Sequence, residues 1–170
     1  IVLDDADLDH AVAGVLYGIF SSSGEACIAG SRLFVARPLY EPFMQRLVAA
    51  AANLRMGDPA DENTQMGPLI SAGHRESVER YVALGLAEGG RLRLGGQRPS
   101  GGLYDQGYFY PPTILEGLHN QQQVCQEEIF GPVLVAMPFD DEAQLLEQAN
   151  DSMYALAAGI WSRDYKRAWA

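Results

Sequence analysis

Residues Val133 to Phe139 form a near-continuous apolar run of strand length. A strand apolar at successive positions must bury both faces, which is the habit of parallel strands covered by helices. The rest of the chain reads as a supply of such helices and of partner strands. Asp4, Asp5 and Asp7 offer N-cap oxygens to a helix whose apolar positions Leu8, Val12, Val15, Leu16 and Ile19 recur at three- and four-residue intervals. Leu33, Phe34 and Val35 read as a short buried strand, and Pro38 opens a second helix with Phe43, Leu47, Val48, Ala51 and Leu54 on its inner stripe. Residues 57–71 are loop-like. A third helix beginning near Ser71 carries Val78, Tyr81, Val82 and Leu86 to the break at Gly89-Gly90.

Arg91 to Leu94 alternates as a strand, the Gly- and Tyr-rich span from Pro99 to Pro112 reads as an extended surface excursion, and Thr113 to Leu115 is another short strand. Gln121 to Glu128 is polar and predicts a turn or short helix. Asp140, Asp141 and Glu142 then open a helix over Leu145, Leu146 and Ala149. Leu156 to Trp161 reads as a buried strand, and a last helix starts after Ser162. This alternation predicts a single α/β domain over 1–170, with a mostly parallel twisted sheet and helices on both faces.

Charge and cysteine usage narrow the function classes. The formal net charge is −10, from 22 acidic and 12 basic residues, and Lys166 is the only lysine. Phosphate backbones require clustered Lys and Arg, so a nucleic-acid partner is not expected. No stretch approaches the roughly eighteen consecutive apolar residues of a membrane span, and the N-terminus has neither a basic region nor a signal-like apolar core. The composition predicts a soluble, cytoplasmic protein with both cysteines, Cys27 and Cys125, reduced. Two distant Cys and three scattered His, His10, His74 and His119, show no ligand spacing, so no metal site is expected. No Gly-x-Gly-x-x-Gly or phosphate-loop pattern occurs. The opening apolar triplet without an initiator Met, and the close inside a helical pattern, read as a piece of a longer chain.

One stretch carries chemistry. In Phe20-Ser21-Ser22-Ser23-Gly24-Glu25-Ala26-Cys27-Ile28-Ala29-Gly30-Ser31, a cysteine sits among small residues with two glycines nearby, which leaves it approachable. A free cysteine is commonly just a small buried hydrophobe; to react it must be reachable and held as thiolate by N–H dipoles or positive charge. A second stretch, Glu127-Glu128-Ile129-Phe130-Gly131-Pro132-Val133, places two carboxylates before an aromatic and a Gly-Pro turn. By itself it reads more readily as a solvated acidic turn with a core Phe.

The pattern Phe-x-x-x-Gly-Glu-x-Cys-x-Ala-Gly-Ser resembles the active-site cysteine signature of the aldehyde dehydrogenase superfamily, and Glu-Glu-Ile-Phe-Gly-Pro-Val is similar to a second signature of the same superfamily. The resemblance continues in order through Met66-Gly67-Pro68-Leu69, Gly107-Tyr108-Phe109 with Pro112-Thr113, and Ala149-Asn150-Asp151-Ser152 with Tyr154 and Leu156-Ala157. Ala155, where the family commonly has glycine, and His74, where many members have glutamine or another polar residue, depart from it. The three histidines read as helix or turn surface residues, and Cys125 as structural.

The resemblance implies that Cys27 is the nucleophile, that Glu128 accepts from the ribose hydroxyls beside nicotinamide, and that Phe130 packs near that end of an NAD or NADP cofactor. It implies an aldehyde substrate, oxidised through a thiohemiacetal and a thioester on Cys27 that water hydrolyses to a carboxylic acid. The backbone N–H of Cys27 is a candidate oxyanion donor. It further implies that an Asn donor, a general-base Glu and the main cofactor-binding domain precede Ile1, so that 170 residues alone would oxidise no aldehyde at a useful rate. A homodimer or homotetramer is implied for the longer protein. Two alternatives remain: a structural or binding module in which Cys27 is a relic, and a thiol hydrolase, for which the sequence identifies no His or Asp partner of Cys27.

Overall fold

The computed structural model describes residues 1–169. Its elements are α1 (Leu8–Phe20), β1 (Arg32–Ala36), α2 (Arg37–Ala52), α3 (Ala72–Ala87), β2 (Arg91–Leu94), β3 (Thr113–Glu116), α4 (Gln123–Gln126), β4 (Val133–Phe139), α5 (Glu142–Asn150) and α6 (Tyr165–Trp169). Local chemistry explains several boundaries. The Asp7 carboxylate accepts from the N–H groups of Asp9 and His10 at 3.2 Å, Ser71 Oγ from that of His74 at 3.1 Å, and Asp141 Oδ1 from that of Gln144 at 3.0 Å. Each such cap contributes about 1 kcal/mol. Pro38 occupies the first turn of α2, where a missing N–H is harmless.

The four strands lie in the order β1-β4-β3-β2. β4 runs parallel to both β1 and β3, while β2 closes the far edge antiparallel to β3. Strand side chains alternate between faces. Leu134 and Ala136 therefore join Leu33, Val35 and Ile114 against Phe43, Met44 and Leu47 of α2 on one side. Val133, Val135 and Met137 join Phe34 and Leu115 against Val78 and Val82 of α3 and Leu145 of α5 on the other. Burying both faces of β4 is what its apolar run requires, at roughly 1.5–3 kcal/mol for each large side chain. The mostly parallel sheet with helices on both faces is thus the architecture observed.

Three readings of the sequence fail. Leu156 to Trp161 is not a buried strand: residues 155–160 are exposed and irregular, and only Trp161 pairs, in a single parallel bridge with Val2, which also bridges Val35 of β1. Leu156 and Ile160 remain 65% and 42% exposed, so no layer closes over the apolar run. The span from Pro99 to Pro112 is not all surface, since Phe109 and Tyr110 are buried. Leu86 and Leu146 lie outside the inner stripes of α3 and α5, at 42% and 51% exposure. In each of those helices the contact with the sheet is narrower than the apolar arc.

Leu47→Ala should lower stability by about 2–5 kcal/mol through loss of buried area and cavity formation. Leu86→Ala should stay within about 0.5 kcal/mol of the parent. Urea-denaturation midpoints of the two variants test both values.

Candidate active site

Because β1 and β4 are parallel neighbours, the loops that enter them emerge at the same end of the sheet. Cys27 lies on the loop before β1, and Glu128 and Phe130 on the loop before β4. The two loops touch through their backbones. Gly24 has φ +72°, and a Cβ added there would overlap the carbonyl carbon and oxygen of Gly131. Ser22 and Ser23 also adopt left-handed backbone angles, at φ 51° and 57°. Such residues cost on the order of 1–3 kcal/mol each unless the surroundings hold them. Here Ser22 O accepts from the Glu25 N–H at 3.0 Å, and Ser23 Oγ donates to Gly67 O at 3.0 Å.

This reversal presents Cys27 in a turn closed by the Ala29 N–H on Ala26 O at 2.9 Å. Cys27 is exposed, and its own N–H enters no backbone hydrogen bond among the described residues. A cleft of about 990 Å³ runs past it, lined also by Glu128, Phe130, Asn150, Tyr154 and Leu156. The three residues singled out from sequence, Cys27, Glu128 and Phe130, therefore face one space.

The paired carboxylates have separate fates. Glu127 accepts from Tyr81 Oη and from Gln123 Nε2, both at 2.9 Å, which ties it to α3 and α4. Glu128 is exposed and has no hydrogen-bond partner among the described residues. The thiols differ as sharply. Cys125 lies in the core at 4% exposure, and burial, reinforced by the nearby Glu88 carboxylate, pushes it up to about 11 from its ordinary 9.0.

A sequence model of the aldehyde dehydrogenase family matches residues 1–170. The chain belongs to the aldehyde dehydrogenase family. It is 44% identical over 167 residues to the betaine aldehyde dehydrogenase of Brucella ovis, covering 98% of this chain and 34% of that protein. The crystal structure of a betaine aldehyde dehydrogenase point mutant from Staphylococcus aureus in complex with NAD+ superposes with a TM-score of 0.96 at 36% identity, over 99% of this chain and 34% of that one. HpcC from Thermus thermophilus gives 0.94 at 44% identity, over 98% of this chain and 33% of that one. The chain spans about a third of the length of the curated relatives it matches.

Several groups that shape this aldehyde dehydrogenase cleft were not singled out from sequence. Arg32 donates to Asn120 Oδ1 at 2.7 Å and to the carbonyls of Gln148 and Ala149 at 3.1 Å, which caps the C-terminal end of α5. Asn120, at 2% exposure, donates to Gln148 O and Asp151 O at 3.1 Å. Together they anchor the segment after Asn150 that forms one wall. Glu25 Oε1 accepts from the Ile70 N–H at 3.1 Å, so the cysteine loop is also tied to the approach to α3. His74 is not a free surface residue: its Nε2 lies 2.6 Å from Phe130 O and 3.5 Å from Glu25 Oε1. The only sequence signal for His74 was its departure from the family's commoner residue.

Iodoacetamide should label Cys27 at least about tenfold faster than Cys125 at pH 8, because attack requires thiolate. Labelling of Cys125 should keep rising until pH nears 11, and stability should fall between pH 9 and 11, where the unfolded chain has lost the thiol proton that the core retains. Peptide mass spectrometry across a pH series reads both rates. Gly24→Ala should cost about 3 kcal/mol, from backbone overlap and a left-handed φ. Gly30→Ala, with open space around its Cβ position, should be nearly neutral by comparison when the two denaturation midpoints are measured.

Proposed function

We propose that the polypeptide to which this stretch belongs oxidises an aldehyde to a carboxylic acid, with Cys27 as nucleophile and NAD or NADP as cofactor. The observation that carries this reading is the exposed Cys27 thiol on one cleft with the unpartnered Glu128 carboxylate and the Phe130 ring. The donor set fits a dinucleotide. A carboxylate free of protein partners can accept from both hydroxyls of a vicinal diol, and the half-exposed Phe130 ring, at 38%, offers an apolar face beside it.

The thiolate of Cys27 adds to the aldehyde carbon, and the new C–S bond leaves a negative oxygen. The Cys27 N–H, which enters no backbone hydrogen bond among the described residues, is the donor assigned to that oxygen, a contribution of roughly 3 kcal/mol for each such donor. Nicotinamide, when bound, supplies the hydride acceptor through which the thiohemiacetal becomes a thioester. Cys27 holds that thioester until water cleaves the C–S bond, releasing the carboxylic acid and restoring the thiol. The curated relatives make betaine aldehyde the first substrate to assay. A free thiol suits a reducing cytoplasm. Exposed Met153 and Leu156, at 85% and 65%, support burial of this wall in a larger protein that assembles as a dimer or tetramer.

In the intact polypeptide, Cys27→Ser should reduce kcat for aldehyde oxidation at least about a thousandfold. Glu128→Gln should raise KM for the dinucleotide while leaving KM for the aldehyde nearly unchanged. Steady-state kinetics decide the matter: undiminished turnover in Cys27→Ser refutes the nucleophile and favours a module in which the cysteine is a relic.

A further inference from the structure

His74 stands at a junction that the proposed mechanism leaves unused. Its backbone is fixed as the third residue of α3, with its N–H on the Ser71 cap. Its side chain, at 21% exposure, projects between two loops far away in sequence. Nε2 approaches the Phe130 carbonyl oxygen at 2.6 Å and Glu25 Oε1 at 3.5 Å, and the imidazole meets the Phe130 ring edge-on, with centroids 6.0 Å apart at 72°.

The identity of the partners settles the proton. A peptide carbonyl only accepts, and Glu25 Oε1 is already accepting from the Ile70 N–H. Nε2 therefore carries hydrogen and donates. The recipient is unusual, because Phe130 has φ +55°, a left-handed conformation that an aromatic residue leaves readily unless it is held. On its other side Gly131 packs against Val78 of α3, where a Cβ would come within 2.6 Å of Cγ2. The turn bearing Glu128 and Phe130 is thus clamped to α3 at two adjacent residues, by van der Waals contact at Gly131 and by a donated hydrogen bond at Phe130.

We propose that His74 is a positioning residue: its Nε2–H holds the Phe130 carbonyl, keeps Phe130 left-handed and so presents Glu128 and Phe130 to the cleft they share with Cys27. Release of the carbonyl lets Phe130 relax to an extended conformation, which re-aims both its ring and the preceding carboxylate. The nearby Glu25 carboxylate, two residues before Cys27, registers the same imidazole against the cysteine loop. This inference rests on the cofactor role given above to Glu128 and Phe130.

The test separates donation from packing. In the intact polypeptide, His74→Leu keeps apolar bulk without a donor, and His74→Gln keeps a donor of similar reach. His74→Leu should raise both KM and Kd for NAD+ about tenfold, the size expected when a hydrogen bond to a strained turn is lost. KM for the aldehyde should change less than about twofold, and His74→Gln should restore NAD+ binding nearly to the parent value. Parent-like NAD+ binding in His74→Leu overturns the proposal, as does a loss in His74→Gln equal to that in His74→Leu. A spectroscopic arm does not depend on activity. With 15N-histidine and 13C-carbonyl phenylalanine labels, His74 Nε2 should appear protonated, and the Phe130 carbonyl resonance should shift in His74→Leu and return in His74→Gln. An unprotonated Nε2, or an unmoved carbonyl, overturns the latch. If the parent binds no NAD+ and oxidises no aldehyde while these resonances behave as stated, the functional reading fails and the latch stands.

Discussion

Gly24 and Gly131 meet backbone to backbone, and this contact is what brings two loops from distant parts of the chain into one site. No side chain on residue 24 fits between them, so the approach depends on Gly24 having no Cβ. Around it, Ser23 ties to Gly67, Glu25 to the N–H of Ile70 and His74 to Phe130, so that three loops hold one another. The left-handed backbones of Ser22, Ser23, Gly24 and Phe130 all lie within this knot. Strain concentrated there is sustained by the rigid sheet and helices behind it, the usual condition for pre-organised chemistry.

The sheet supplies that rigidity and also the placement. β1, β4 and β3 are successive parallel neighbours, so the segments entering them all arrive at the amino ends of the strands. Open α/β sheets usually place ligands at the opposite, carboxyl ends. Here the amino-end loops are longer and carry the thiol and the carboxylates, and the site follows them. Environment then divides chemically similar groups. Cys27 is exposed on a turn while Cys125 is desolvated in the core, and Glu127 is bonded to α3 and α4 while Glu128 is left open. Burial and existing partners, more than residue type, decide which of these groups stay open to the cleft.

Much of the fold could be read locally. Helix caps at Asp7, Ser71 and Asp141 and the apolar run of β4 act over a few residues and appear where the chain pattern put them, whereas the helical stripes hold except at Leu86 and Leu146. The candidates Cys27, Glu128 and Phe130, which line one cleft, stood out because two short motifs carried them. His74, Arg32 and Asn120 were not, because their meaning lies in partners such as Phe130, Gln148 and Asp151, brought near only by folding. Leu156 to Trp161 misled for the reverse reason. Its composition suits a strand, but a strand needs a neighbour with free edge groups and a layer above it, and only Trp161 finds one, beside Val2.

Composition and periodicity alone determined that this chain would build an α/β domain with a buried parallel centre, since an apolar strand and amphipathic helices have few other ways to leave water. They also determined which thiol sits among small residues. The tertiary structure alone decided that the thiol, the free carboxylate and the aromatic would share one cleft, and that a histidine on a third element would hold the turn between them. Sheet order and loop-to-loop contact are long-range geometric facts, and no local preference encodes the distance between residues that meet only when the sheet closes.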